Sequence, residues 1–333
     1  MKITLAATLR HYDKKNFIKD LLAGIIIMAV SIPISMGYAQ IAGLPAVYGL
    51  YGSVFPILIF ALFSTSPQFI FGVDAAPAAL IGSALLSLHI ESGSEEAMAV
   101  VPVLTFFVAL WLLVFYIMKA GKLVNYISAP VMGGFITGIC TTIILMQVPK
   151  LMGGSAGTGE FFELAEHIIK TAKDINWQSV VLGLAALVLL LVCKKLIPKF
   201  PMAVLLMIAG AGMTYLLPIE DWGVQTLASV DTGLPRWAVP DFSVISIREA
   251  VTISLSVAVV IMAETLLAEN NFAQKNGYRI NDNQEILAFS MGNFLAAFTG
   301  CCPINGSVSR TAMGEQYQAK TQLTGIIAGL SMI

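Results

Sequence analysis

Charged side chains are scarce in this sequence, with 19 Lys or Arg and 20 Asp or Glu among 333 residues, 12% in all. A soluble domain carries about 25%, so a chain of this length could not cover a water-facing surface with so few. Cysteine and histidine are rarer still, at 4 and 3. Cys140 and Cys193 lie in apolar runs and Cys301 and Cys302 are adjacent, so neither a disulfide framework nor a CxxC metal site is implied. All four are expected as small core residues. His11, His89 and His167 sit at segment ends or in loops without metal-ligand spacing. With no nucleophile–base pair and no metal cluster, the chain is expected not to be an enzyme and to need no cofactor. A net charge of −1 without a basic patch offers nucleic acid no footing.

Apolar residues make up 57% of the chain, and its mean hydropathy is +0.82. The charges are segregated, leaving apolar runs of about 17–25 residues, the length that crosses a bilayer as a helix. This predicts an all-α polytopic membrane protein. Spans are expected at 20–39, 47–65, 75–90, 97–118, 125–149, 177–196, 201–217, 248–270, 284–300 and 306–318, with an eleventh beginning near 321. The basic-then-apolar N-terminus resembles a signal peptide, but the many similar segments behind it favour a retained first span. Residues 1–19, with Ile3, Leu5, Leu9, Tyr12 and Phe17 among basic residues, are expected as a cytoplasmic segment, helical on the membrane surface.

Orientation follows from counting. With a cytoplasmic N-terminus, 13 of the 19 basic residues fall inside: Lys2, Arg10, Lys14, Lys15, Lys19, Lys119, Lys122, Lys194, Lys195, Lys199, Lys275, Arg279 and Lys320. Lys150, Lys170, Lys173, Arg236 and Arg248 fall outside, and Arg310 stays in the membrane. The positive-inside rule supports this arrangement, provided the short third and tenth segments each cross. Between spans, residues 150–176 contain GGSAGTGE, which lacks the Lys and Ser/Thr of a phosphate-binding loop and is expected as a flexible external loop. Residues 218–247 are expected as an external, proline-punctuated connector. The sequon Asn305-Gly306-Ser307 lies at membrane depth, where glycosylation does not reach. Ile333 ends the chain inside an apolar run, which suggests the front portion of a longer protein.

Three intramembrane charges stand out: Asp74, Glu264 and Arg310. A central Arg or Asp costs about 2.5–3.5 kcal/mol on insertion scales, so such residues face the protein interior and mark functional sites. A helix that starts halfway across the bilayer leaves its first amides unpaired and presents about half a positive charge there. Pro303 and Asn305-Gly306 break the chain, and Ser307, Val308 and Ser309 then start a helix with Arg310 in its first turn: an anion site in outline. Ala75-Ala76-Pro77 does the same for the third segment, with proline tolerated in a first turn. Asp74 is placed to cap that helix. Two such half-helices in matching positions point to a transporter site at the membrane midplane.

These segments resemble the sulfate permease family. SVSRTAMGEQYQAKTQLTGIIAG is similar to its tenth span, and DLLAGIIIMAVSIPISMGYAQIAGLPAVYGLYGSVFPILIFALFSTS to its first two. GKLVNYISAPVMGGFITGI resembles its fifth, and AETLLAENNFAQKNGYRINDNQEILAFSMGN its eighth and ninth. The resemblance covers almost the whole chain. It implies a seven-plus-seven inverted repeat divided into core and gate domains, a homodimer in the cell membrane, and a cytoplasmic STAS domain beyond this chain. The first repeat would be residues 20–217 and an incomplete second repeat residues 248–333, ten to eleven spans in total.

By position the resemblance makes Ser309 and Arg310 the anion-binding pair and Tyr38 an aromatic lining the site. It makes Glu264 an acid that in some prokaryotic members couples transport to protons or sodium. Asp74, which departs from the family's pattern, is a second coupling candidate on its intramembrane charge alone. The alternative reading of Arg310, from its burial rather than from the resemblance, is a structural ion pair with Glu264 as partner. Two departures stand out: Pro33 is followed by Ile34 where the family often has glutamine, and Asp74-Ala75 replaces an opening Gly-Pro. The expected function is secondary active transport of a small oxyanion or carboxylate, such as sulfate, bicarbonate or a dicarboxylate, by alternating access. A nucleobase–cation symporter of the same fold and an anion channel or motor are the alternatives.

Overall fold

The computed structural model describes every residue except 1–3, 11, 123–128, 156–160, 198–200, 227–232 and 235–236. The described residues form α1 (Phe17–Ile41), α2 (Ala46–Phe63), α3 (Ala75–Ser87), α4 (Glu95–Ile117), α5 (Ala129–Leu151), α6 (Phe161–Thr171), α7 (Trp177–Leu196), α8 (Met202–Leu216), α9 (Ile247–Asn276), α10 (Asp282–Phe298), α11 (Val308–Gln316) and α12 (Leu323–Leu330). Two dipeptide strands, β1 (Phe71–Gly72) and β2 (Asn305–Gly306), form one antiparallel pair. Among the described residues, five helical stretches are long and apolar enough to cross a membrane: 14–41, 46–63, 95–117, 177–196 and 247–276. On α7 the apolar side chains of Leu184, Val188 and Leu191 are exposed, which suits a lipid-facing span rather than a watery surface.

Local chemistry sets several helix ends. Ser94 accepts from the Ala97 amide at 3.1 Å to start α4, and Asn281 accepts from Gln284 at 3.2 Å to start α10. Gly277, at φ +72°, closes α9 in the left-handed region. Among the described residues ahead of α1, the expected surface helix does not form. Residues 5–10 form turns, and Lys14–Asn16 form a 3₁₀ turn. That segment is tied down by side chains and backbone instead: Gln284 Nε2 donates to Thr4 O at 2.9 Å, and the Ala6 amide donates to Leu62 O at 2.7 Å.

The chain folds into two units. One gathers residues 1–132 and 230–333, the other residues 133–229. The division joins both ends of the sequence, so the spatial units do not follow chain order. In the first unit α10 packs on α4 and α2, α1 on α2 and α12, and α4 on α9. Phe71, Phe60 of α2 and Phe289 of α10 form a cluster of near-parallel rings, with centroids 4.7 Å (Phe60–Phe71), 5.3 Å (Phe71–Phe289) and 6.2 Å (Phe60–Phe289) apart. In the second unit α7 packs on α8, and Asn176 caps α7 while its Nδ2 donates to Trp222 O at 2.8 Å. The expected flexible loop at 150–176 holds α6, with buried Leu164 and a Glu166–Lys170 pair at 2.7 Å one turn apart. Residues 156–160 of GGSAGTGE lie outside the described residues.

Candidate functional site

The third and tenth segments are the short helices the breakers predict, at 13 residues for α3 and 9 for α11. Their starts are brought together by the segments before them. Phe71 pairs with Gly306 and Gly72 with Asn305. Beyond the strands, the Ser307 amide donates to Ile70 O at 2.8 Å, and the Ile70 amide donates to Thr311 Oγ1 at 3.0 Å. Backbone outside a helix at membrane depth must find partners within the protein, and the linker from Cys301 to Gly306 finds them on three helices. Thr105 of α4 donates to Cys301 O at 3.0 Å. Asn293 of α10 exchanges two hydrogen bonds with Ile304, at 2.9 and 3.0 Å. Thr265 of α9 accepts from the Gly306 amide at 3.1 Å.

Two glycines permit this close approach. A Cβ on Gly72 would lie 3.0 Å from Arg310 Nη1, and one on Gly306 would overlap the Phe69 ring and the Thr265 methyl. Asn305, the sequon residue, is fully buried.

Arg310 is fully buried. Its Nη2 donates to Val73 O at 2.7 Å and lies 3.7 Å from Asp74 Oδ2. Its Nε and Nη1 have no hydrogen-bond partner. The alternative of an ion pair with Glu264 gives way to one with Asp74, because β1–β2 pairing delivers the start of α3 to the guanidinium. Glu264, on α9, instead accepts from Asn305 Nδ2 at 2.9 Å. Asp74 caps α3 as expected, Oδ1 accepting from the Ala75 amide at 2.8 Å. Tyr38, half-buried on α1, lies close enough to interact electrostatically with Asp74, Arg310 and Glu264.

All the expected site residues thus converge: Tyr38 from α1, Asp74, Ala75 and Ala76 at α3, Glu264 from α9, and Ser307, Val308, Ser309 and Arg310 at α11. Ser307 makes no side-chain cap, which leaves the first-turn amides of α11 open. Thr265, Asn293, Val73 and the side chain of Asn305 complete the arrangement. An Asn or Thr inside an apolar run such as ILAFSMGNFLAAF was the available signal for them.

The chain matches the sulfate permease family over residues 17–333. A protein of Mycobacterium tuberculosis named a probable sulfate transporter is 29% identical over 325 residues, 97% of this chain and 58% of that protein. Prestin of Danio rerio is 27% identical over 356 residues, 98% of this chain and 48% of prestin. The chain thus spans about half the length of the curated relatives it matches. Among solved structures, the murine solute carrier 26 family member A9 anion transporter superposes with a TM-score of 0.80 at 24% identity, covering 98% of this chain and 59% of that one. The transmembrane domain of the cyanobacterial bicarbonate transporter BicA gives 0.77 at 18% identity, covering 96% and 82%. The fold is therefore the helical membrane fold of these transporters, and the chain is a multi-pass membrane protein. With the family's profile extending from the first span to the last residue, this chain belongs to the sulfate permease family.

Proposed function

We propose that the protein is a secondary active transporter of a small oxyanion or carboxylate, with the substrate seated between the first turns of α3 and α11. The observation that carries this is the buried guanidinium of Arg310, with two nitrogens unpartnered, beside the uncapped start of α11. Open amides and the helix dipole favour an anion there, and a charge-assisted bond from Arg310 strengthens its hold. The names of the relatives, sulfate and bicarbonate transporters among them, support anions rather than nucleobases as cargo.

Coupling follows from charge. One cation, Arg310, pairs with Asp74, and Glu264 adds a second carboxylate that interacts with Asp74, before any anion arrives. A proton or sodium ion entering with the anion offsets that excess. Glu264, tethered by Asn305, is the principal coupling residue and Asp74 the second candidate. Transport by alternating access, an inverted repeat, a homodimer and a cytoplasmic N-terminus in the cell membrane complete this reading.

The test is uptake into proteoliposomes with proton and sodium gradients imposed separately. Wild type should show saturable uptake driven by one of them, and Glu264→Gln should lose that dependence. A variant that concentrates substrate with unchanged dependence rules Glu264 out, and non-saturable flux favours a channel.

A further inference from the structure

α3 and α11 begin side by side, yet their first turns are not equivalent seats for an anion. At α11 the amides of Val308, Ser309 and Arg310 are the open donors that any helix start leaves, because Ser307 does not cap them with its side chain. At α3 the Ala75 amide is already taken by Asp74 Oδ1 at 2.8 Å. Pro77 has no amide to give, so Ala76 is the remaining first-turn donor. The same carboxylate holds Oδ2 3.7 Å from Arg310 Nη2. A negative group belonging to the chain thus occupies the place where a ligand's second negative charge would be stabilised. Asp74 is also the accessible member of its pair, with its side chain 14% exposed against 0% for Arg310. Tyr38 and Glu264 face it electrostatically.

We propose that Asp74 makes the site selective for singly charged anions that carry their own O–H donor, such as bicarbonate, hydrogenselenite or a half-protonated dicarboxylate, over dianions such as sulfate. This rests on the anion-site reading above and narrows it. A dianion brings two negative charges to one cation and two carboxylates, and Asp74 meets it with acceptor oxygens alone. A hydroxyl-bearing monoanion brings half that charge and donates a hydrogen bond to Asp74. Its remaining oxygens accept from the α11 amides and from the free guanidinium nitrogens.

The test uses the purified full-length protein and the matched pair hydrogenselenite and selenate, with bicarbonate and sulfate as a second pair. Affinities are measured by calorimetry for wild type, Asp74→Asn and Arg310→Ala. Asparagine is as good an N-cap as aspartate, so the start of α3 is kept while the charge is removed. Wild type should favour the hydroxyl-bearing monoanion by roughly ten- to a hundredfold, the worth of one hydrogen bond to a charged group. Asp74→Asn should shrink that preference at least about tenfold, chiefly by tightening dianion binding. Equal affinities in wild type, or an unchanged ratio in Asp74→Asn, overturn the selectivity while Arg310-dependent binding of both anions leaves the site intact. Binding that is absent, or unaffected by Arg310→Ala, overturns the site and the selectivity together.

Discussion

Removing the guanidinium of Arg310 should separate binding from folding, because the structure gives that side chain two kinds of partner. Its Nη2 holds Val73 O and faces Asp74, while Nε and Nη1 are free for a ligand. Arg310→Ala leaves a buried carbonyl without its donor and a carboxylate without its cation. Breaking a buried ion pair from one side costs about 3–5 kcal/mol, and the partial exposure of Asp74 puts this site near the lower figure. The ligand loses a charge-assisted partner worth about 1.5–3 kcal/mol, or roughly one to two decades of affinity. The double variant Asp74→Asn/Arg310→Met divides the two effects. Replacing both charges by neutral groups of similar size is close to neutral for a buried pair, so it should recover most of the lost stability. Affinity for a hydroxyl-bearing monoanion such as hydrogenselenite, the ligand of this titration, should stay low, since no guanidinium has returned. Thermal melting and calorimetric titration of the same preparations measure both quantities. A single variant that loses stability but binds as wild type, or a double variant that recovers affinity, refutes the reasoning.

Gly306→Ala should impair the site without touching a charge. The added Cβ would overlap Phe69 and Thr265, at a cost of about 1–3 kcal/mol for overpacking. Melting temperature and uptake should fall together, and a variant as stable as wild type would contradict the tight β1–β2 seat. Asp20→Ala should loosen the entry to α12, because buried Asp20 accepts from the Lys320 amide at 2.6 Å and from Thr321 Oγ1 at 2.7 Å. Amide exchange at residues 320–324 should rise while that at α4 does not, and equal protection would remove Asp20 from that role.

The two half-helices were legible because their signals are local. Pro303 and Asn305-Gly306 stop one apolar run, Asp74 is a favoured cap, and Arg310 at membrane depth needs a reason to be there. Their meeting was legible from the matched breakers and from resemblance, but not from the segments that join them. The strands that join them, FG and NG, are two residues each and lie more than two hundred positions apart, too short to carry a period. For the same reason the choice of acid for Arg310 was hidden. Only the register Phe71 to Gly306 decides that Asp74, and not Glu264, reaches the guanidinium. The supports Asn293 and Thr265 were present as polar residues in apolar helices, but their targets are carbonyls and amides of a distant linker. α6 carries Phe161, Leu164 and Ile168 at helical spacing, a signal masked by the glycine-rich run before it.

The central claim is that an anion sits at the start of α11, beside Arg310. Its most direct test is anomalous scattering from crystals of the full-length protein, with ordinary methionine, equilibrated with hydrogenselenite. The account predicts a selenium peak within hydrogen-bond reach of the Val308, Ser309 and Arg310 amides. It also predicts that the peak disappears in Arg310→Ala crystals. A peak elsewhere in the protein, or none at concentrations that saturate uptake, would contradict it.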